Sequence, residues 1–260
     1  MDDIRDRQPR SPVAIDMVGV KNVRYPIVLK DKSRRRQHTV GTISMFVDLP
    51  RDQRGTYMGR FIEILSKYHR ELDVHKIGRV LREVRRRFAA GSVHLEMEFP
   101  YFIEKCAPVS GARAHMDYRC WIMASLRERF RLRMGAAVPV TTLCPCSKEM
   151  VGRGGHNQRA EIRATVEFEG FMWLEDLIDL LEDCGSSEVF SLLEREDERH
   201  VTAAALDNPA LVEDVVRQVA AKLEAHPESA AALRFRQKSQ TEKPGYNFHH
   251  PRRGRSKRAY

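Results

Sequence analysis

The chain has 260 residues, of which 42% are hydrophobic and 31% are charged, a composition typical of soluble globular proteins and not of fibrous or disordered ones. The formal net charge of +9 is concentrated after residue 233, since residues 234–260 carry +8 and residues 1–233 only +1, so we expect no specific nucleic-acid partner. No uncharged run approaches the roughly 18 residues of a membrane span and no apolar stretch follows the charged N-terminus, so neither membrane insertion nor secretion is expected.

The first half of the chain predicts two strands, two helices and two further strands. Extended segments cover residues 17–29 and 37–48. Apolar residues at helical spacing then predict one helix over residues 57–68 and a second that starts at an Asp73 cap and ends before Gly91. The segments SVHLEMEFPYF and ARAHMDYRCWI are rich in strand-forming residues. The predicted order is therefore ββααββ.

The second half repeats this order. Strands are predicted at Val138–Leu143 and within HNQRAEIRATVEFEG, followed by a helix over residues 173–181. The mixed-charge run LLEREDERH is interpreted as a linker, and Asn208 and Pro209 as the N-cap and first residue of the next helix. Extended sequence resumes at Ala231.

These patterns predict an α+β protein of two tandem ββααββ units with antiparallel sheets. The first unit is placed at residues 1–122, with residues 1–14 a flexible N-terminus, and the second at residues 123–236, followed by a basic C-terminal tail over residues 237–260. Because the outer strands of such sheets need covering, we expect oligomerisation that closes the sheets into a barrel.

The segments TTLCPCSKE and GGHNQR carry the most distinctive chemistry. If residues 144–146 are extended, Cys144 and Cys146 point to the same side, and the glycines allow the backbone to return His156 towards them. A thiolate and an imidazole suit zinc or another late first-row metal, although buried small residues or a redox pair remain alternatives. The five cysteines are odd in number and scattered, which favours a reducing, cytoplasmic environment.

TTLCPCSKE and GGHNQR, together with GTISMFVDLP in the first half, closely resemble the type IB GTP cyclohydrolases, the FolE2 family, from about residue 15 to residue 225. The resemblance implies a tunnelling fold (T-fold) assembled as a homotetramer. It also implies a hydrolase that converts GTP and water to 7,8-dihydroneopterin triphosphate and formate, through hydroxide addition at C8 of guanine. This reaction is the first step of tetrahydrofolate biosynthesis and, in many bacteria, leads to queuosine.

The resemblance also implies a metal site with one divalent ion, for which zinc, manganese and iron are all compatible. Cys144 matches the thiolate ligand, His156 the imidazole ligand and Glu198 the carboxylate ligand. Cys146 resembles the second family cysteine, with a role in proton handling or in shaping the site, and a small buried residue is the alternative.

GTP is the partner that the resemblance implies. Glu213 matches the glutamate that accepts hydrogen bonds from N1–H and the 2-amino group of guanine. Lys148 and Arg159, with Arg153 nearby, are candidates for holding the triphosphate.

The C-terminus departs from the family, which normally closes with a strand bearing Glu-x-x-His-x-His. When residues 246–251 are aligned with this motif, His249 takes the place of its first histidine and is a candidate acid–base group. The glutamate and the final histidine of the motif have no counterpart there. The alternatives are therefore an inactive or non-enzymatic T-fold homologue, and the archaeal type of cyclohydrolase, which makes a cyclic phosphate product.

Overall fold

A computed structural model describes residues 11–32, 36–52, 57–69, 72, 74, 76–152, 154–168, 171–226, 229–236 and 247–249. The first half contains β1 (Ile15–Lys30), β2 (Arg36–Leu49), α1 (Gly59–Tyr68), α2 (Ile77–Phe88), β3 (Val93–Cys106) and β4 (Arg113–Leu126). The predicted ββααββ order of this half is confirmed. Helix α2 begins at Ile77, after Lys76 as N-cap, and the predicted cap Asp73 lies outside the described residues.

The second half contains β5 (Phe130–Leu143), α3 (Pro145–Val151), β6 (Asn157–Phe168), α4 (Leu174–Glu182), β7 (Ser187–Glu188), α5 (Arg195–Asp207), α6 (Val212–Ala225), β8 (Ser229–Arg236) and β9 (Asn247–His249). The predicted strands and the helices around residues 173–181 and 212–223 are present. Helices α3 and α5 are additional, and both concern the candidate site.

The strands pair in antiparallel fashion, and the protein is of the α+β class. Hydrogen-bonded neighbours follow the order β1-β2-β3-β4-β5-β6-β8-β9, while β7 pairs with β5. Representative register pairs are Met45 with Leu95 between β2 and β3, and Ala164 with Leu233 between β6 and β8.

The chain divides into two compact units. Unit 1 comprises Met1–Tyr101 and Arg119–Met134, and unit 2 comprises Phe102–Tyr118 and Gly135–Tyr260. Strands β3, β4 and β5 contribute residues to both units. The boundary predicted between residues 122 and 123 lies inside β4, and the division of the sequence into T-fold units at that point stays a prediction. Residues 1–10 and nearly all of the predicted tail, except β9, lie outside the described residues.

Each unit has an apolar core built from the helix stripes that the sequence predicts. In unit 1 the rings of Phe61 and Phe88 stack with centroids 4.3 Å apart, which joins α1 to α2. In unit 2 the helices α4 and α6 supply buried apolar side chains at helical spacing. These are Leu177, Ile178 and Leu181 in α4, and Val215, Val219 and Leu223 in α6.

Two predictions about the segment 192–212 are wrong. The run predicted as a linker is partly helical, since its residues 195–200 form the first half of α5. A capping box between Glu194 and Asp197 satisfies free amides at the helix start. Asn208 is the C-cap of α5, and its side-chain amide donates to the carbonyl of Gly185 at 3.0 Å. Helix α6 begins at Val212, with Leu211 as its N-cap.

Candidate metal and nucleotide site

The candidate site begins where β5 passes into α3. Cys144 is the N-cap of α3 and Pro145 is its first residue, so the prediction that residues 144–146 form an extended segment is wrong. Proline favours the first helical position because its fixed φ matches the helix and its missing N–H is not needed there. Cys144 is half-buried and Cys146 is exposed.

The glycine-rich loop returns the chain to Cys144. Gly152 and Gly154 have φ values of +67° and +88°, a region that favours glycine. A Cβ on Gly155 would lie 2.9 Å from a methyl carbon of Leu143, so a larger residue would displace the chain just before His156. The loop sequence is therefore fitted to this return.

Ser147 clamps the two ends of this loop. The backbone N–H of Cys144 donates to the carbonyl of His156 at 3.1 Å. The Ser147 hydroxyl donates to the Cys144 carbonyl at 2.8 Å and accepts the N–H of His156 at 2.7 Å. The structure thus brings the backbones of Cys144 and His156 together. The role of Ser147 was not predicted, although a serine in the first turn after the cysteine is the available signal.

The start of α3 also acts on the Cys144 thiol. The backbone N–H of Ser147 is the main cause of a lowered thiol pKa, which partial burial opposes and the N–H of Cys146 supports. A lowered pKa favours the thiolate, the form in which cysteine binds metals.

Glu198 lies in the first turn of α5 and is exposed. Its neighbour Asp197 is buried and holds this end of the helix. The Asp197 carboxylate accepts the N–H of Val109 at 2.8 Å, the N–H and hydroxyl of Ser110 at 2.9 and 2.6 Å, and the N–H of Glu194 at 2.9 Å. Burial raises the pKa of Asp197, but these donors outweigh it and the net pKa is well below its usual value.

Lys148 contacts the opposite end of α5, where its ammonium donates to the carbonyl of Leu206. Leu206 follows Glu198 by eight residues, which corresponds to about 12 Å along the helix axis. In the described part of the chain, no three His, Cys, Asp or Glu side chains form a group that could hold a metal ion. The structure therefore brings Cys144 and His156 together but does not add Glu198 to them, and the three-ligand set stays a prediction.

The other residues predicted to bind substrate or to transfer protons lie on α6, β6 and β9 or outside the described residues. Glu213 is exposed in the first turn of α6, and the preceding segment is tied to the site because Ala210 N–H donates to the Leu143 carbonyl at 3.0 Å. Arg159 is exposed on β6. Arg153 lies outside the described residues, and for His249 the structure gives only its backbone, opposite Arg234.

Buried polar residues of unit 2 support the end of β5 that leads to Cys144. The Leu143 N–H donates to the Ser186 hydroxyl at 3.0 Å, and β7 continues from there along β5 with Glu188 opposite Val140. Glu188 and Glu182 both accept hydrogen bonds from the ammonium of Lys105, at 2.7 Å and 2.8 Å. Sequence reasoning missed this network, because its members are 77 and 83 residues apart along the chain.

Comparison with known proteins identifies the family. The family model described as "Type I GTP cyclohydrolase folE2" matches residues 1–241. The chain belongs to the type I GTP cyclohydrolase FolE2 family. The match ends close to the point at which the sequence departs from the expected closing strand of the FolE2 proteins.

Curated FolE2 relatives cover most of the chain. The protein named GTP cyclohydrolase FolE2 from Syntrophotalea carbinolica is 49% identical over 228 residues, which are 88% of this chain and 86% of the relative. The protein of the same name from Geobacter sulfurreducens is 49% identical over 226 residues, 87% of this chain and 88% of the relative.

Solved structures of low sequence identity confirm the fold. A hyper-thermostable AgUricase mutant superimposes with a TM-score of 0.53 at 10% identity, covering 95% of this chain and 94% of that one. A highly active BTUO mutant gives a TM-score of 0.50 at 10% identity, covering 91% and 96%. The predicted T-fold is confirmed.

Among the described helices of this FolE2 protein, none combines the length and apolar character needed to cross a membrane.

Proposed function

We propose that this FolE2 protein is a metal-dependent GTP cyclohydrolase that converts GTP and water to 7,8-dihydroneopterin triphosphate and formate in the cytoplasm. This reaction would begin tetrahydrofolate biosynthesis and supply queuosine precursors. The observation that carries the proposal is the clamped pair of Cys144 and His156, in a chain that is 49% identical to proteins named GTP cyclohydrolase FolE2.

One divalent metal ion would be held by Cys144, His156 and Glu198, and zinc, manganese and iron all suit these ligands. The donor chemistry of Cys144 and His156 fits, because their backbones are joined and the Cys144 pKa is lowered. A bound metal would supply a Lewis acid that lowers the pKa of water towards 7. Glu198 lies about 12 Å along the axis of α5 from Leu206, the residue that Lys148 contacts. Glu198 would therefore join Cys144 and His156 only if an α5 helix were placed against them differently from the one that Lys148 contacts.

A second subunit could supply such an α5 helix, and we propose a homotetramer that closes the sheets into a barrel. Strand β1 ends the strand order and pairs only with β2 among the described strands. Apart from the Val28 N–H, which donates to the His69 carbonyl at 3.2 Å, its outer edge offers backbone groups that T-fold closure would satisfy.

The chain's own residues would orient GTP and move protons. Glu213, at the tethered start of α6, would accept the N1–H and 2-amino hydrogens of guanine, which adenine cannot provide in this pattern. Lys148 has two ammonium hydrogens beyond the one that it donates to Leu206, and these, with Arg159, would contact the triphosphate. Cys146 and His249 are the proposed proton-transfer groups.

The decisive experiment is turnover of GTP by the metal-loaded full-length protein, followed by formate release, pterin fluorescence and product mass. Cys144→Ala should lose metal and turnover, while Cys106→Ala, which removes an exposed cysteine elsewhere, should keep both. A product with the mass of a cyclic phosphate would assign the archaeal type of reaction. Absence of formate from wild-type protein with full metal content would overturn the proposed activity.

A further inference from the structure

A cavity in unit 1 gathers arginines that the proposed reaction does not use. It has a volume of about 610 Å³ and lies at the turn between β4 and β5, where its lining residues are His94, Ser125, Arg127, Glu128, Arg129 and Arg131. The volume falls within the range of sites that hold small ligands.

The three arginines of this cavity have no acidic partner among the residues that the structure describes. In the part of the chain that the structure describes, none of Arg127, Arg129 and Arg131 forms an ion pair, whereas Arg86 and Arg87 on α2 bind Glu83 at 3.0 and 2.9 Å. Glu128 is the one acid in the lining, so the lining residues carry a net charge of +2 before His94 is counted, while Asp48 and Glu96 are close enough to act on His94. Unpaired guanidinium groups around a concave surface are suited to an anion.

His94 contributes a ring nitrogen that has no partner among the described residues. Its Nε2 is buried and forms no hydrogen bond to any residue described in the structure. Burial, followed by the charge of Arg127, lowers the pKa of this imidazole against the smaller opposing effects of Glu96 and Asp48, which favours the neutral ring. A neutral ring adds no charge to the cavity, whose positive charge therefore comes from the arginines.

Contacts with α2 fix the turn between β4 and β5 that carries the arginines. Arg85 donates through Nη1 to the carbonyl of Arg127 at 3.2 Å, and the Arg127 N–H donates to the Arg129 carbonyl at 3.4 Å. The ring of Phe130 lies so close to Gly78 that a Cβ added there would be 3.5 Å from it. Because these contacts already order the backbone, an anion would have to order only the arginine side chains.

We propose that this cavity binds a polyphosphate chain, the group shared by nucleoside triphosphates. Each guanidinium can pair with two phosphate oxygens, and three of them match an extended anion better than a single phosphate, which would leave most of the cavity empty. The proposal involves none of the residues assigned to GTP binding above and does not depend on the cyclohydrolase activity.

The test is binding of inorganic tripolyphosphate to the full-length protein by titration calorimetry at fixed ionic strength. Arg131→Gln should weaken binding at least about tenfold, since it removes a charge-assisted double contact. Arg133→Gln is the matched control: it removes the same charge two residues along β5, from an exposed residue outside the cavity lining. We expect this control to change the affinity less than about threefold, as a screened charge does.

Three results would overturn the proposal. These are undetectable binding to wild-type protein, equal losses in Arg131→Gln and Arg133→Gln, and loss in Lys148→Gln with none in Arg131→Gln. The source of the polyphosphate is separated by competition binding, again without turnover. If GTP displaces tripolyphosphate from wild-type protein and Arg131→Gln weakens GTP binding, the cavity holds the triphosphate of GTP itself; if ATP displaces it and Arg131→Gln leaves GTP binding unchanged, it holds a second nucleotide. Binding is measured without turnover, so an inactive protein leaves the test intact.

Discussion

The buried network around Lys105 makes the most quantitative prediction. Its ammonium lies 2.8 and 2.9 Å from the two carboxylate oxygens of Glu182 and 2.7 Å from Glu188, over the ring of Phe190 at 4.4 Å. The side chains of Lys105 and Glu182 are only 11% and 5% exposed, whereas Glu188 is 40% exposed, so the Lys105–Glu182 pair is the buried part of the network. Tyr118 donates to the same Glu182 at 2.7 Å. Lys105→Met keeps the aliphatic length and removes the only cation that these contacts provide.

The loss of stability in Lys105→Met depends on whether the Glu182 carboxyl stays charged or takes up a proton when Lys105 is absent. At 2.8 Å and an effective dielectric constant of about 20, the lost attraction is about 6 kcal/mol. Burial already raises the pKa of Glu182 despite Lys105, so the unpartnered carboxyl will take up a proton instead. Protonation at pH 7 of a glutamate whose ordinary pKa is about 4.3 costs about 3.7 kcal/mol, which limits the loss. We therefore expect Lys105→Met to lower the free energy of unfolding by about 2–3 kcal/mol.

The same reasoning fixes the direction of the pH dependence. In the variant the pKa of Glu182 is higher in the folded state than in the unfolded state. Burial of this carboxyl therefore costs no stability below the unfolded pKa, and the variant loses stability as pH rises from the unfolded pKa towards the folded pKa. The deficit relative to wild type should shrink to less than about 1 kcal/mol at pH 5. Glu182→Gln added to Lys105→Met should recover most of the deficit at pH 7.

Urea unfolding followed by circular dichroism at pH 5 and pH 7 measures these differences. Lys222→Met is the matched control, because Lys222 pairs with Asp183 at 3.6 Å on the surface, where a pair contributes less than about 1 kcal/mol. A deficit in Lys105→Met that equals the control, or that does not change between the two pH values, would refute the reasoning.

Four further changes test the site and its supports. Glu213→Gln should weaken GTP binding by about 2–4 kcal/mol in calorimetry and leave the metal content unchanged, because an amide nitrogen would face a guanine donor. Gly155→Ala should destabilise the protein by about 1–3 kcal/mol in urea unfolding and lower its metal content, since the new methyl group meets Leu143. Asp197→Asn should flatten the loss of stability between pH 5 and pH 3, because a depressed pKa gives stability that is present above the unfolded pKa and is lost as pH falls. His249→Ala should reduce GTP turnover without metal loss, and robust turnover both in it and in a chain ending at Lys243 would remove His249 from the chemistry.

The sequence predicted most clearly those elements whose apolar residues repeat with one period. Helices α1 and α2 and the strands around them follow their stripes to within a few residues, because burial of one face dominates their free energy. Helix α5 was missed since its first turns are almost entirely charged. Its start depends on the Glu194–Asp197 capping box and on donors from Val109 and Ser110, 88 and 87 residues from Asp197 along the chain.

The candidate site shows the same division between local and distant causes. Cys144 and His156 are joined by contacts within a short loop, and its glycines and proline make their approach readable from sequence. The error at residues 144–146 was also local, because Pro145 starts a helix where an extended chain was expected. Glu198 is a different case, since its position depends on how a whole helix is placed, which neither spacing nor pattern determines.

Net charge shows why a sum over the chain can hide a site. Residues 1–233 carry only +1, and on that ground a basic face was not expected in the folded body. Yet among the described residues three arginines within a five-residue segment form no ion pair around one cavity of unit 1, while Glu83 pairs with arginines on α2. An anion responds to the charges within about a Debye length, roughly 8–10 Å, and not to acids elsewhere in the protein. The pairing of each arginine, which only the folded structure shows, therefore decides whether a nearly neutral body can bind a polyphosphate.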